Sequence, residues 1–262
     1  MSYSQILVDT THHTTTITLN RPPQFNSFTA TLCGELLDAL THADTDSDIR
    51  CISLTGAGKA FCAGQDLGEV GINSDEPADL GVILESQINP VIAKVRECHT
   101  PVVCGVNGVA AGAGANLALA GDIVVASRSA KFLQAFRHVG LLPDAGGTWI
   151  LPRLAGHARA MGMALLGDPI SAEQAESWGM IWQCVDDDQF SDTLNGLCHR
   201  LATGPTLAMG LAKKAIMEGY NHSLQEQLTL ERDFQRAASN SHDYPEGVRA
   251  FLEKRKPEFK GK

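Results

Sequence analysis

Two segments of mostly small residues, FCAGQDL at residues 61–67 and GVAAGAGANLALAGD at residues 108–122, decide how this chain folds. Apart from Cys62, neither contains a candidate nucleophile. Glycines after strands often serve tight turns and close helix packing. They also expose backbone N–H groups, and two such groups from different loops can hold one ligand oxygen as an oxyanion hole. The segments alone are compatible with both interpretations.

Phosphate binding is a third use of glycine-rich loops, and these segments do not fit it. Neither contains the G-x-x-x-x-G-K-[ST] pattern. The segment at 108–122 does not carry G-x-G-x-x-G in register after a strand, and no acidic residue follows at the usual distance. Nucleotide binding of this kind is therefore not expected.

The composition indicates a soluble globular protein of one large domain, or one domain with an appendage. The chain has 262 residues, of which 44% are hydrophobic and 19% charged, and its net charge is −9. Such a charge argues against nucleic acid as a partner, because a phosphate backbone needs a basic face. The N-terminus lacks a basic region followed by an apolar one, and no membrane-length apolar run occurs. We expect a cytoplasmic protein without a membrane partner.

The seven cysteines form no C-x-x-C pair, and most lie in apolar runs such as RCISLTG and PVVCGVNG. This pattern predicts buried free thiols in a reducing compartment, with no metal site. Cys62 is the one candidate nucleophile, but no histidine stands in a recognisable motif to activate it.

Hydrophobic periodicity predicts an α/β core followed by a helical region. The expected core elements are a hairpin at 3–9 and 14–20, a helix at 29–43, a strand at 51–56, a helix at 78–98 kinked or split at Pro90, a strand at 101–107, a helix at 112–120 and a strand at 122–127. Strand patterns end near residue 190. Amphipathic helices are then expected at 189–202, 206–219, 223–239 and 243–255, the third opening with a Ser223–Glu226 capping box.

Three blocks taken together resemble the signatures of the crotonase (enoyl-CoA hydratase/isomerase) superfamily. They are GAGKAFCAGQDL, GVNGVAAGAGANLALAGDI and HVGLLPDAGGTWILPRLAG, and the ending EGVRAFLEKRKPEF fits as well. The resemblance implies an α/β fold, a crotonase-like spiral of ββα units with a C-terminal all-helical oligomerisation region. It divides the chain into a core with the acyl-CoA site at 1–195 and a helical trimerisation region at 196–262.

The resemblance assigns the oxyanion hole to two backbone N–H groups, those of Gln65 and Ala113. Gly112 and Gly114 flank the second donor and are expected to contact the substrate. The catalytic carboxylate is Asp144, in LLPDAGGT. An alternative role for Asp144 is an N-cap on a helix that begins near Gly146.

Hydratases of the superfamily use two glutamates, at positions that are Asn116 and Phe136 in this chain. Neither residue can act as an acid or base, so this site does not match one that adds water. A single carboxylate suits moving a proton from one carbon to another. Asn116 is expected either to orient substrate or water, or to be only a helix residue.

The resemblance also implies a set of coenzyme A contacts. Ala63, Asp66 and Leu67 belong to the loop that wraps the adenine and pantetheine, whereas Phe251 and Lys254 match positions that reach the coenzyme A of a neighbouring subunit. A lysine common in the family near residues 20–26 is replaced by Pro23.

The functional prediction is an acyl-CoA isomerase. Within the superfamily the motifs, among them ARAMGMALLGDPISAEQAESWGMIWQCVDD at 158–187, resemble isomerases of phenylacetate breakdown. They imply conversion of ring-1,2-epoxyphenylacetyl-CoA to oxepin-CoA, a Δ3-to-Δ2 enoyl-CoA shift, or both. The partners implied are an acyl-CoA thioester and identical subunits in a homotrimer or hexamer, with no cofactor beyond the substrate's coenzyme A. The alternatives are an enoyl-CoA hydratase or another enoyl-CoA isomerase, and a non-catalytic acyl-CoA-binding protein.

Two further expectations concern the surroundings of the site. The walls of the acyl pocket are expected at about 69–90 and in the C-terminal helices. His138, between the two catalytic blocks, is expected to be structural.

Overall fold

The strands of the fold belong to two sheets. The computed structural model describes residues 3–69 and 79–262. Its strands in chain order are β1 (Ile6–Thr11), β2 (Thr14–Leu19), β3 (Cys51–Gly56), β4 (Ala60–Cys62), β5 (Val102–Val106), β6 (Val109–Ala111), β7 (Ile123–Ser127), β8 (Lys131–Leu133), β9 (Ile170–Ser171) and β10 (Gln183–Val185).

The larger sheet has the spatial order β1-β2-β3-β5-β7-β10. The expected hairpin pairs β1 with β2 antiparallel, and every later pairing is parallel. Strands β3, β5 and β7 are buried along most of their length. Parallel strands covered on both faces are expected to be continuously apolar, as CISLTG and PVVCGVN are.

The smaller sheet has the order β4-β6-β8-β9, with β4, β6 and β8 parallel. Consecutive strands divide between the two sheets: β3, β5 and β7 join the larger sheet, and the strand that follows each one joins the smaller. This repetition winds the chain into a spiral, which confirms the predicted fold class.

Helices cover the sheets and make up the C-terminal part. They are α1 (Ala30–Thr45), α2 (Leu80–Ile83), α3 (Asn89–Glu97), α4 (Ala113–Ala120), α5 (Gly147–Ala155), α6 (His157–Leu166), α7 (Ala172–Ser177), α8 (Phe190–Ala202), α9 (Thr206–Glu218), α10 (Leu224–Ser239) and α11 (Asp243–Glu253). Short 3₁₀ helices lie at Pro22–Gln24 and Ala135–Val139. The capping box predicted at Ser223 and Glu226 is present.

The helix expected at 78–98 is split. Helix α2 runs into one π-helical turn at Leu84–Ile88, and α3 then carries Pro90 in its first turn. Proline has no N–H to donate to the preceding turn, and an irregular turn accommodates that loss. Residue 78 lies outside the described residues.

Helix α8 crosses the predicted boundary between residues 195 and 196. Its Leu194 and Cys198 pack on Cys51 of β3 and Val103 of β5. The division into two regions stays a prediction, and the structure ties the first of the C-terminal helices to the larger sheet.

No helix within the described ranges is both long and apolar enough to cross a membrane.

The packing of α4 on β4 leaves no room for a side chain at Gly114. A Cβ at this position would lie 2.2 Å from the carbonyl oxygen of Cys62. We expect Gly114→Ala to lower the free energy of unfolding by about 1–3 kcal/mol or more, because the added methyl group would clash with the backbone of Cys62. Gly34→Ala is the matched control, since Gly34 lies within α1 and a Cβ added there would meet no other element within 4 Å. Urea unfolding should show the control unchanged or stabilised by up to about 1 kcal/mol; equal stability of both variants would contradict this packing.

Candidate active site

Three chain segments meet where β4, β6 and β8 end. Cys62 at the end of β4 is in register with Ala110, and Ala111 at the end of β6 is in register with Leu133. Because the three strands are parallel, the residues that follow them lie side by side at one edge of the smaller sheet. This edge, formed by residues 63–65, 112–113 and 134–136, is called the donor edge below.

The first predicted oxyanion donor, Gln65, lies on the segment after β4. The neighbours of Gln65 pair with Phe28: the Phe28 N–H donates to the Gly64 carbonyl at 2.7 Å, and the Asp66 N–H donates to the Phe28 carbonyl at 3.0 Å. In an extended segment successive N–H groups point to opposite sides. The Gln65 N–H therefore points away from Phe28, and it donates no backbone hydrogen bond to any described residue.

The second predicted donor, Ala113, is the first residue of α4. Its N–H, like the others of a first helical turn, has no acceptor within the helix. The positive φ of this segment falls on Gly112, with φ 55° and ψ −128°, a conformation that suits glycine. Ala113 is not among the residues with positive φ, so its alanine side chain is tolerated.

The two donors lie close together. A Cβ built on Gly64 would lie 3.4 Å from the Ala113 nitrogen and 2.9 Å from the Ala111 carbonyl oxygen. The segments of Gln65 and Ala113 thus touch, with the helix dipole of α4 adding positive potential at the same place. The segments that carry these two predicted donors therefore lie against each other at the donor edge.

Asp144 lies in the turn that precedes α5, and α4 holds this turn. The Asp144 carbonyl accepts two hydrogen bonds, from Gly147 N–H at 2.7 Å and from Asn116 Nδ2 at 2.8 Å. Since Asn116 lies three residues after Ala113, it links Asp144 to the first turn of α4. Ala145 is held at φ 48°, a left-handed conformation that is costly for alanine.

The Asp144 carboxyl is half-buried, and its Oδ1 has no hydrogen-bond partner in the described part of the chain. Burial disfavours the ionised form and raises the pKa of Asp144 from 3.8 to about 6. A carboxylate with such a pKa can accept and return a proton near neutral pH. The alternative N-cap role is wrong, because α5 is capped by Gly146 and begins at Gly147.

A buried pair of amides supports the Asp144 turn, and sequence reasoning missed one member of it. Gln134 follows β8, and its Nε2 donates to Asn116 Oδ1 at 2.9 Å. Gln134 and Asn116 are both fully buried. Asn116 was predicted either to orient substrate or water or to be only a helix residue; in the structure, both ends of its side-chain amide are hydrogen-bonded to protein. No motif marks Gln134; only the pairing of β6 with β8 brings it to the donor edge.

Phe136 lies over Gly112. Its ring atoms come within 3.6–4.0 Å of the position a Gly112 Cβ would take, and the side chain is buried. The phenyl ring makes this wall of the donor edge apolar, which helps to keep water from it.

The three residues predicted to wrap the coenzyme are arranged differently from one another. Ala63 donates its N–H to the Phe25 carbonyl at 3.0 Å, and Leu67 is exposed. Asp66 forms an ion pair with Arg21 at 2.9 Å and accepts the Gly68 N–H at 3.0 Å. The carboxylate of Asp66 therefore orders the loop after Gln65.

The other predicted positions are not part of the donor edge. Phe251 and Lys254 are exposed on the last turn of α11 and at its C-cap. Pro23 is exposed in a 3₁₀ turn, and His138 Nε2 bonds to the Gly167 carbonyl oxygen at 3.2 Å, which fits a structural role. Of the expected pocket wall at 69–90, residues 70–78 lie outside the described residues.

All seven cysteines are free thiols. Cys62 is buried, and burial raises the pKa of its thiol to about 12, which disfavours the thiolate needed for nucleophilic attack. Across residues 3–69 and 79–262, no cluster of three or more His, Cys, Asp and Glu side chains is placed to hold a metal ion.

Comparison with known proteins gives consistent matches over the whole chain. The family model described as enoyl-CoA hydratase/isomerase matches residues 9–262. A 1,2-epoxyphenylacetyl-CoA isomerase of Escherichia coli K12 is 55% identical over 94% of this chain and 95% of its own length. A "Probable enoyl-CoA hydratase" of Rhodobacter capsulatus is 46% identical over the full length of both chains.

A solved structure agrees with these relatives. The crystal structure of an enoyl-CoA hydratase from Bacillus anthracis superposes with a TM-score of 0.93 at 34% identity, covering 99% of this chain and all of that one. The chain belongs to the enoyl-CoA hydratase/isomerase family. The resemblance inferred from the sequence blocks is confirmed.

Proposed function

We propose that this chain is an acyl-CoA isomerase that converts ring-1,2-epoxyphenylacetyl-CoA to oxepin-CoA, shifts Δ3 enoyl-CoA double bonds to Δ2, or does both. The similarity to the Escherichia coli isomerase supports the aromatic epoxide as substrate. Each of these reactions rearranges the acyl group without adding or removing atoms, so it needs neither a second substrate nor a cofactor beyond coenzyme A.

The chemistry begins at the thioester carbonyl. In our proposal its oxygen sits between the N–H groups of Gln65 and Ala113. These donors bind the oxygen more strongly as negative charge develops on it, and each contributes about 3 kcal/mol to the transition state. The α carbon thereby becomes acidic enough for Asp144 to take its proton and return it elsewhere on the acyl chain.

The side chains around Asp144 are the observation that favours an isomerase over a hydratase. The two positions where hydratases of the superfamily have glutamates hold Asn116 and Phe136. Asn116 cannot activate water because both ends of its side-chain amide are hydrogen-bonded to protein, and Phe136 cannot because it is a buried phenyl ring. A single carboxylate with a raised pKa remains, which suits proton transfer within one substrate.

Assembly into a trimer or hexamer is part of the proposal. Several large apolar side chains on α10 and α11 are mostly exposed in one chain, namely Leu224 (75%), Phe251 (83%) and Leu252 (74%). Such a surface favours contact with identical subunits. In the assembly Phe251 and Lys254 would reach the coenzyme A of a neighbouring subunit, with Ala63 and Leu67 lining the coenzyme site of their own subunit. The free thiols are consistent with work in the cytoplasm.

A panel of thioesters tests the proposal. The aromatic epoxide, Δ3-enoyl, Δ2-enoyl and saturated acyl-CoA compounds are each incubated with the protein, and the products are identified by liquid chromatography with mass spectrometry. We expect oxepin-CoA from the epoxide, with no change in mass. A product heavier by one water from the Δ2-enoyl compound would establish a hydratase instead. Binding by calorimetry without turnover of any compound would indicate a non-catalytic acyl-CoA-binding protein.

A further inference from the structure

We infer that Gln134 is a positioning residue for Asp144, acting through Asn116. The inference rests on the proposed role of Asp144 as the base. It is carried by an uninterrupted series of hydrogen bonds, from Gln134 Nε2 to Asn116 Oδ1 at 2.9 Å and from Asn116 Nδ2 to the Asp144 carbonyl oxygen at 2.8 Å.

The direction of these bonds is fixed at one end. A carbonyl oxygen only accepts, so Asn116 must present its amide nitrogen to Asp144 and its oxygen to Gln134. Gln134 must then present its nitrogen, which leaves its own Oε1 buried without a partner in the described part of the chain. An orphaned buried acceptor is costly. Gln134 thus bears that cost in the arrangement that keeps Asn116 oriented toward Asp144.

The Asp144 turn needs such support. Ala145 is held in a left-handed conformation, which relaxes unless the surroundings fix it. The Asp144 carbonyl is bonded from two sides, by Gly147 within the turn and by Asn116 from α4. Without Gln134, the Asn116 side chain can rotate and the second of these bonds is lost. A shift of about 1 Å at a catalytic group costs up to about 100-fold in rate.

Two variants of similar shape separate positioning from bulk. Gln134→Met keeps the length of the side chain and removes the donor, so we expect kcat to fall about 10- to 100-fold with KM changed less than about twofold. Gln134→Glu donates to Asn116 only while its carboxyl is protonated. We expect its pH profile to gain a falling alkaline limb that native enzyme and Gln134→Met lack.

Thr55→Val is the matched control. It removes one side-chain hydrogen bond to a backbone carbonyl, from Thr55 Oγ1 to Gly105 O at 2.8 Å, without a link to Asp144. Its kcat and pH profile should equal those of the native enzyme. If Gln134→Met keeps native kcat, or Gln134→Glu shows no new alkaline limb, the positioning role is wrong.

A readout without substrate keeps this inference separate from the proposed function. Hydrogen exchange of the ligand-free protein, followed by mass spectrometry, reports the amide of Gly147, which donates to the Asp144 carbonyl. We expect faster exchange over residues 144–147 in Gln134→Met than in Thr55→Val. Unchanged exchange overturns the inference even if the protein is an isomerase. Faster exchange supports the part of the inference that Gln134 holds the Asp144 turn, whatever the substrate panel gives.

Discussion

Asp144→Asn is expected to abolish isomerisation while acyl-CoA binding is retained. Asparagine has the same shape but cannot accept a proton, and the Asn116 and Gly147 hydrogen bonds go to the backbone carbonyl, which is unchanged. General acid–base catalysis is worth about 10²- to 10⁴-fold, so kcat should fall by that range. Steady-state kinetics and calorimetric titration with a saturated acyl-CoA measure the two effects. Turnover within about twofold of native would show that Asp144 is not the base.

The pH profile of the native enzyme provides a second check on the same residue. The pKa of Asp144 is raised to about 6, so the basic form is lost as the pH falls through that value. We expect kcat/KM to decline toward tenfold per pH unit below about pH 6. A profile that is flat between about pH 5 and about pH 7 would exclude Asp144 as the titrating base.

The stability of Asp144→Asn distinguishes lost chemistry from lost structure. A carboxyl whose folded pKa is raised stabilises the native state below its unfolded pKa of 3.8, and this stabilisation is lost as the pH rises through about 6. Asparagine is neutral throughout. The variant should therefore be more stable than the native protein at neutral pH, by at most about 3 kcal/mol, and equal to it below about pH 4. Urea unfolding at the two pH values measures this difference; a variant less stable at neutral pH would contradict burial as the cause of the raised pKa.

Strands β1, β2, β3, β5 and β7 of the larger sheet could be predicted because they carry strong local patterns, whereas β10, with three residues, was not predicted. The alternation in β2 and the apolar runs of β3 and β5 are long enough to be read without neighbours. The C-terminal helices were equally readable from their periodicity, and the capping box fixed the start of α10.

The smaller sheet could not be predicted in the same way. Strands β4, β6 and β8 have three residues each, and β9 has two, too few for a period to show. They exist because each pairs with a neighbour that is distant in sequence, and this pairing alone creates the donor edge. Family resemblance supplied Gln65, Ala113 and Asp144, whereas local patterns supplied only exposed backbone near glycines.

Gln134 shows the same limit at the level of one side chain. It is separated by 18 residues from Asn116, and nothing in its own surroundings, KFLQAFR, marks it as part of a site. The raised pKa of Asp144 is a property of burial by several elements together, so no spacing in the sequence could indicate it.

Removing the N–H of Gln65 is expected to lower kcat by about 10²- to 10³-fold, the usual cost of one oxyanion donor. Gln65→Pro does this, because proline has no backbone N–H. Gln65→Ala is the matched variant: it keeps the N–H and deletes only the side chain, whose buried Oε1 has no hydrogen-bond partner in the described part of the chain. We expect Gln65→Ala to retain kcat within about threefold, because a side-chain oxygen that accepts no hydrogen bond does not stabilise the transition state.

Ala113→Pro tests the second donor in a setting that tolerates proline. Ala113 is the first residue of α4, where proline is favoured because the N–H has no helical acceptor. The variant should fold as stably as native yet lose kcat by a similar factor of about 10² to 10³. Circular dichroism, thermal unfolding and single-turnover rates, measured for both proline variants, separate misfolding from lost catalysis. A folded Ala113→Pro variant with native turnover would show that the thioester oxygen is not held at the donor edge. If Gln65→Ala lowered kcat as much as Gln65→Pro, the function of this loop would lie in the Gln65 side chain and not in its backbone.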